Sequence, residues 1–283
     1  MKKRTLIANI FITLFLALIA FIVVVPVIYT ILGSFKSNAE MLAHPDWLIP
    51  REPTFDNYKT ALQAEEFNVP RMMWNSIYYS VICTAAAVVF SAMAGYAFAR
   101  HDFPGSKLIL TVFTGLMFLN VGGITFYPKF EVINLLGIGN SLWGLIFMKL
   151  FSVNIVQIIL VKSYVTTLPR SLDESAELDG CNFVQIFFRI IMPLLKPIIA
   201  TITILFFNGT WNDYIMPSIF TMSRPDQRPL IAGVVALKNT EEGASSWTLM
   251  LAGSTVALIP VLIIYTVGNK YMVSGLAAGA VKG

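Results

Sequence analysis

Long runs of apolar residues constrain this chain more than any other feature. A helix of about 20 apolar residues, rising 1.5 Å per residue, crosses the hydrocarbon layer of a membrane. Six stretches approach or exceed that length: residues 6–35, 75–99, 108–127, 142–165, 194–219 and 247–271. Only 13% of the 283 residues are charged, about half the share usual in soluble domains. The sequence therefore predicts an all-α integral membrane protein, built as a bundle of six transmembrane helices.

The distribution of Lys and Arg predicts the orientation of these helices. Cytoplasmic segments of membrane proteins carry an excess of basic residues. Such an excess arises here when the N-terminus, with Lys2, Lys3 and Arg4, is placed in the cytoplasm and the spans alternate. Both termini and residues 166–193 are then predicted to be cytoplasmic, and the long polar segments 36–74 and 223–246 extracytoplasmic.

Several function classes find no support in the residues. The chain has no Gly-x4-Gly-Lys-Ser/Thr loop for ATP phosphates, and two histidines and two cysteines offer neither a catalytic triad nor a metal cluster. The Lys and Arg residues are scattered at segment ends and form no basic patch for nucleic acid. The sequence thus predicts a non-enzymatic protein that binds no cofactor and no nucleic acid, with lipid as its surroundings.

The predicted cytoplasmic segment 166–193 carries strong signals of local structure. Ser171 followed by Glu174 has the spacing of a capping box, which predicts a helix start. Asp173 and Glu174 in the first turn complement the helix dipole. Gly180 suits the left-handed conformation that ends many helices. We expect a short helix, a turn and a second short helix between two spans.

The spacing in this segment resembles the "EAA" loop of ABC importer permeases. The family pattern is Glu-Ala-Ala, x3, Gly, x9, Ile-x-Leu-Pro. This chain has Glu174-Ser175-Ala176, then Gly180, then Ile190 and Met192-Pro193, and departs from the pattern only at Ser175 and Met192.

Further stretches are similar to the maltose-type carbohydrate permeases over residues 8–283. They are Leu136-Gly137-Ile138, Gly144-Leu145-Ile146, Thr210-Trp211-Asn212-Asp213-Tyr214 with Pro217, Lys270-Tyr271-Met272-Val273-Ser274-Gly275-Leu276 and Ala280-Val281-Lys282-Gly283.

This resemblance implies a multi-pass permease subunit in the bacterial cytoplasmic (inner) membrane. It implies four partners: a second homologous permease, a dimer of ATP-binding subunits that hold ATP and Mg²⁺, an extracytoplasmic sugar-binding protein, and membrane lipid. It also implies a domain order: a first helix with its extracytoplasmic segment (1–72), a permease core (73–272) and a cytoplasmic tail (273–283). The residues implied to couple the loop to the ATPase are Asp173, Glu174, Ser175, Ala176, Asp179, Gly180 and Pro193.

Lys149 is a charged residue within a predicted span. It lies about 10 Å from the outer end of its helix, where a Lys either faces a cavity or extends its ammonium to the interface. Asn154 and Gln157 add polarity but lie at neither i+4 nor i+7 from Lys149, so a shared face is not expected. The substrate-path candidates are Lys149, Asn154, Asn120 and Asn212.

Small residues repeat every fourth position on the second predicted span. Ser91, Gly95 and Ala99 have the spacing that lets two membrane helices approach closely. We therefore expect a packing face here and no binding site.

The resemblance implies import of a sugar, an oligosaccharide in particular, by alternating access. One alternative within the same superfamily is a permease for glycerol phosphate or another small solute. A secondary transporter coupled to an ion gradient is another alternative, but it should carry acids inside its spans. Only Asp213, placed near an outer boundary, approaches that description.

Overall fold

The computed structural model describes residues 2–64, 67–118, 122–237 and 247–280, and these form helices joined by turns and loops, with no β-strand among them. The helices are α1 (Lys2–Gly33), α2 (Asn38–Ala43), α3 (Asp56–Gln63), α4 (Val69–Arg100), α5 (Ser106–Met117), α6 (Phe126–Leu135), α7 (Leu142–Leu150), α8 (Ile155–Val165), α9 (Ser171–Leu178), α10 (Phe183–Ile186), α11 (Met192–Leu194), α12 (Lys196–Trp211), α13 (Ile215–Phe220), α14 (Leu230–Leu237) and α15 (Trp247–Ala280). A π-helical turn, Phe187–Ile191, joins α10 to α11, and 3₁₀ turns occupy Gly122–Thr125 and Pro225–Gln227.

Four helical segments are long and apolar enough to cross a membrane. They are Asn9–Gly33, Val69–Arg100, Leu142–Val165 and Trp247–Gly268. A fifth is reached when Phe183–Leu194 and Lys196–Trp211 are counted as one span, although these two segments meet at an angle of 83°. The third predicted span is represented by α5, whose 12 residues reach only about 18 Å. The described residues thus support several spans, and a total of six remains a prediction.

The chain divides into two compact units. One comprises Met1–Pro70 and Gly233–Ile259, and the other comprises Arg71–Ala232 and Pro260–Gly283. In the first unit Lys36 is fully buried, and its ammonium donates hydrogen bonds to the carbonyls of His44 and Trp47. These two bonds fold the polar segment after α1 around a single cation.

The second unit has two apolar clusters. One joins α4, α8, α9, α10 and α12, through residues such as Tyr96, Val161 and Ala176. The other surrounds Tyr79 and Leu145, with contributions from α6, α7 and α13. The first cluster therefore packs the segment after α8 against α4 and α12.

Gly95 explains how closely α4 and α8 approach. A Cβ atom at Gly95 would lie 2.7 Å from the side chain of Val161 and 3.0 Å from the carbonyl oxygen of Ile158. Ser91 is buried on the same helix. The predicted packing role of the small residues on this span holds at Gly95, where only a hydrogen atom fits.

Candidate functional site

The loop between α8 and α12 contains the short helix α9, but this helix does not begin as its sequence suggests. The N-cap position is Arg170, which makes no side-chain cap, and Ser171 is already helical. The predicted capping box of Ser171 and Glu174 is therefore wrong. Pro169 precedes the helix, and the backbone N–H of Asp173 and Glu174 donates to the carbonyl of Arg170.

A reciprocal capping box does occur in this loop, one helix later. The side chain of Asn182 accepts a hydrogen bond from the backbone N–H of Gln185, and the side chain of Gln185 accepts one from the N–H of Asn182. The Asn-x-x-Gln spacing is a readable signal of this start, and the sequence reasoning passed over it.

Gly180 ends α9 in the predicted left-handed conformation, with φ of +82°. The N–H of Cys181 donates to the carbonyl of Ala176, and the N–H of Gly180 donates to the carbonyl of Glu177. This pair of bonds is the Schellman motif, which satisfies carbonyls that the helix end leaves open. The turn therefore fixes the direction in which the chain leaves α9.

The seven predicted coupling residues divide between two sides of the loop. Asp173 and Ala176 are buried, and Ala176 belongs to the apolar cluster that joins α9 to α4, α8 and α12. Glu174, Ser175, Asp179, Gly180 and Pro193 are exposed. Leu178, which sequence reasoning did not select, is 90% exposed beside them. The exposed side of α9 thus combines carboxylates with one apolar side chain.

Asp173 has its partners within the chain's own bundle. Its Oδ1 accepts a hydrogen bond of 2.6 Å from the hydroxyl of Tyr96, and its Oδ2 lies 3.0 Å from Nε of Arg100. Arg100 also donates through one terminal nitrogen to the carbonyl of Leu168, at 3.0 Å. The start of α9 is therefore attached to the end of α4.

A second candidate site is a polar cavity of about 360 Å³ within the second unit. Its lining comprises Phe126, Lys129, Met148, Lys149, Ser152, Asn154, Gln157, Leu205, Phe206, Gly209, Thr210, Asp213 and Met216. Two of the four predicted substrate-path residues, Lys149 and Asn154, belong to this lining.

Lys149 pairs with Asp213 in this cavity. The ammonium Nζ lies 2.7 Å from Oδ2 of Asp213, and the two side chains are only 17% and 18% exposed. The Tyr79 hydroxyl donates to the same oxygen at 3.3 Å, and the N–H of Met216 donates to the other oxygen at 3.3 Å. Lys149 is therefore held by a carboxylate of its own unit, and Asp213, predicted to lie near an outer boundary, is its partner. A paired carboxylate inside the bundle stabilises the ammonium.

A break in the helix brings Asn154 and Gln157 to the cavity that Lys149 lines. The helix α7 ends at Leu150 and α8 begins at Ile155, so four residues are not helical. All three side chains line this cavity although their sequence spacing predicted no shared face. Irregular backbone at membrane depth is tolerated where it is buried in protein or lines a water-filled cavity.

The other two predicted path residues do not join this site. The side-chain amide of Asn212 donates to the carbonyl and side-chain oxygens of Asn208, one turn earlier in its own helix. Asn120 lies outside the described residues.

The fold and the two sites define a class: a multi-pass membrane transport protein with an exposed loop helix and a polar cavity. The family model described as "Binding-protein-dependent transport system inner membrane component" matches residues 2–276. The chain belongs to this family and is a permease subunit of the bacterial inner membrane.

Relatives of known name match along nearly the whole chain. The galactooligosaccharides transport system permease protein GanQ of Bacillus subtilis is 34% identical, covering 100% of this chain and 99% of that protein. The arabinooligosaccharides transport system permease protein AraQ of the same organism is 31% identical, covering 96% and 95%. A crystal structure of a bacterial ABC transporter that imports the acidic polysaccharide alginate has a chain with a TM-score of 0.79, 27% identity, and coverage of 94% and 96%.

Proposed function

We propose that this chain is one of two homologous permeases in an ABC importer that moves an oligosaccharide into the cytoplasm by alternating access. The observation that carries the proposal is the polar cavity around Lys149 and Asp213, beside a broken helix. Unwound segments inside a membrane bundle are typical places for a solute. The oligosaccharide class is supported by the names of GanQ and AraQ.

The Lys149–Asp213 pair in the cavity suits a sugar. Lys149 is neutralised by Asp213, so this pair presents hydrogen-bond donors and acceptors without net charge. Sugar hydroxyls donate and accept hydrogen bonds and suit such a surface.

The loop at 166–193 is proposed as the EAA coupling loop, with both termini on the same cytoplasmic side. The exposed side of α9, with Glu174, Leu178 and Asp179, would dock on an ATPase subunit that supplies ATP and Mg²⁺. The polar segment 36–74 would then face an extracytoplasmic sugar-binding protein. We retain the proposed order of a first helix with its outer segment (1–72), a permease core (73–272) and a tail (273–283), arranged as six spans.

The test uses the complex purified with its ATPase and reconstituted in vesicles with the binding protein. Labelled oligosaccharide should enter the vesicles on addition of ATP. Uptake of glycerol phosphate in place of any oligosaccharide would overturn the substrate class.

Leu178→Asp should remove the ATPase during purification. The matched control is Leu62→Asp, which places the same charge on an exposed leucine of α3, on the opposite side by our orientation. Retention of the ATPase by Leu178→Asp, or its loss from Leu62→Asp alone, would contradict the proposed docking side.

A further inference from the structure

We propose that Tyr96, Arg100 and Asp173 form a latch through which motion of the loop helix α9 is transmitted to α4. These are positioning residues, because none of them reaches the exposed side of α9 or the polar cavity. The inference rests on the proposed coupling function and extends it to a connection inside this chain. Asp173, implied by family resemblance to contact the ATPase, is here assigned to the bundle.

The first support is the set of contacts that joins two elements distant in sequence. Tyr96 and Arg100 lie on the last turns of α4, more than 70 residues before Asp173. The Tyr96 hydroxyl donates to one carboxylate oxygen at 2.6 Å, and Nε of Arg100 lies 3.0 Å from the other. The same guanidinium donates to the carbonyls of Leu168 and Pro169, at 3.0 and 3.3 Å. One residue of α4 thus holds both α9 and the chain that leads into it.

The charged groups of the latch are buried. The side chains of Arg100 and Asp173 are only 6% and 12% exposed. The Nε–H bond of Arg100 is not aligned for a hydrogen bond to Oδ2 of Asp173. Neither of these two atoms has a hydrogen-bond partner among the described residues. Each of the two charges therefore depends on the other, because separating a buried pair leaves an ion that water does not solvate.

Aromatic contacts also hold α10 and the π-helical turn against Tyr96 of α4. The ring of Tyr96 stacks on Phe183, with centroids 4.9 Å apart and planes 22° apart, and lies 5.5 Å from the ring of Phe187. Tyr96 is thus enclosed by the start of α9 on one side and by α10 on the other. A rigid-body displacement of the loop must move α4 or break these contacts.

The loop is already joined covalently to α8 and α12. The latch adds a third connection, to α4, which is not adjacent to the loop in the sequence. The close approach at Gly95 then packs α4 on α8. While the latch contacts are intact, α4, α8 and α12 are displaced together. With the latch broken, α9 can still dock on its partner but moves α4 less.

The test compares Asp173→Asn, Tyr96→Phe, Arg100→Gln and Arg100→Lys in the full importer complex in vesicles. The readout is the number of sugar molecules imported per ATP hydrolysed, which a lower amount of folded protein does not change. We expect this ratio to fall at least about threefold in the first three variants, with the ATPase still bound. Arg100→Lys keeps the positive charge and should recover most of the loss. Asp102→Asn removes an exposed carboxylate two residues after Arg100 and is the control.

Hydrogen–deuterium exchange of residues 171–178 in the same complex provides a readout that does not depend on the sugar. Loss of a charged hydrogen bond corresponds to about tenfold faster opening. We expect this acceleration in Asp173→Asn and not in Asp102→Asn. If the exchange differs while the wild-type complex imports no oligosaccharide, the proposed substrate is wrong and the latch stands.

Two results would overturn the latch. In the first, Asp173→Asn and Tyr96→Phe match the wild-type protein in both exchange and sugar imported per ATP. In the second, Asp173→Asn releases the ATPase while Tyr96→Phe behaves as wild type, which would make Asp173 a direct contact of the ATPase.

Discussion

Replacing Lys149 by Met should destabilise the bundle, because it leaves the carboxylate of Asp213 without its cation. At an effective dielectric constant of about 20, two unit charges about 4 Å apart attract by about 4 kcal/mol. The pair here is closer, at 2.7 Å, but each side chain keeps some exposure to solvent. Asp213 also keeps its hydrogen bonds from Tyr79 and Met216. We therefore expect a loss of about 2–3 kcal/mol, below the 3–5 kcal/mol typical of fully buried pairs.

A double-mutant cycle measures this pair without the other effects of each substitution. For a chain of this size a loss of 1 kcal/mol lowers the melting temperature by about 2–4 °C. Lys149→Met should then melt about 4–12 °C below the wild-type protein in detergent. Adding Asp213→Asn should restore much of the loss, since the double variant contains no unpaired charge. Lys129→Met is the matched control, because Lys129 lines the same cavity but is exposed.

The size of the coupling energy decides between two interpretations of this contact. Hydrogen bonds between membrane helices average about 0.6 kcal/mol in such cycles. A coupling clearly above that value identifies a charge pair that stabilises the fold. The reasoning is refuted if the effects of Lys149→Met and Asp213→Asn on stability are additive. It is also refuted if Lys149→Met melts at the same temperature as Lys129→Met.

Two further predictions concern glycines. Gly95→Leu should lower the yield of folded protein, because a Cβ atom at this position would lie 2.7 Å from the side chain of Val161. Gly115→Leu on α5 meets open space and should purify normally. Equal yields of the two variants would contradict the packing role. Gly180→Val should reduce ATP-driven uptake severalfold, because a β-branched residue disfavours the left-handed conformation observed there. Gly180→Asn should retain most of the uptake, because Asn adopts that conformation more readily. Equal uptake by the two variants would contradict a fixed turn.

The sequence determined the class of this protein through features that act locally. Long apolar runs can satisfy their backbone only as helices in a membrane, so the helical fold followed from composition and length. The spacing from Glu174 to Pro193 carried the family resemblance, and the family match over residues 2–276 confirms it. Gly180 was predicted correctly because a glycine at a helix end readily adopts the left-handed conformation, which depends on neighbouring residues only.

The tertiary structure decided which polar side chains meet. Lys149 and Asp213 lie 64 residues apart, and Arg100 and Asp173 lie 73 apart, so no helical periodicity relates them. The break after Leu150 separates Lys149 from Asn154 and Gln157, which nevertheless line one cavity, and a helical-wheel argument cannot anticipate such a break. Apolar pattern and capping are properties of a few neighbouring residues, which the sequence contains. The partner of a buried charge is set by how helices pack, and in this chain packing alone shows that Asp173 faces the bundle.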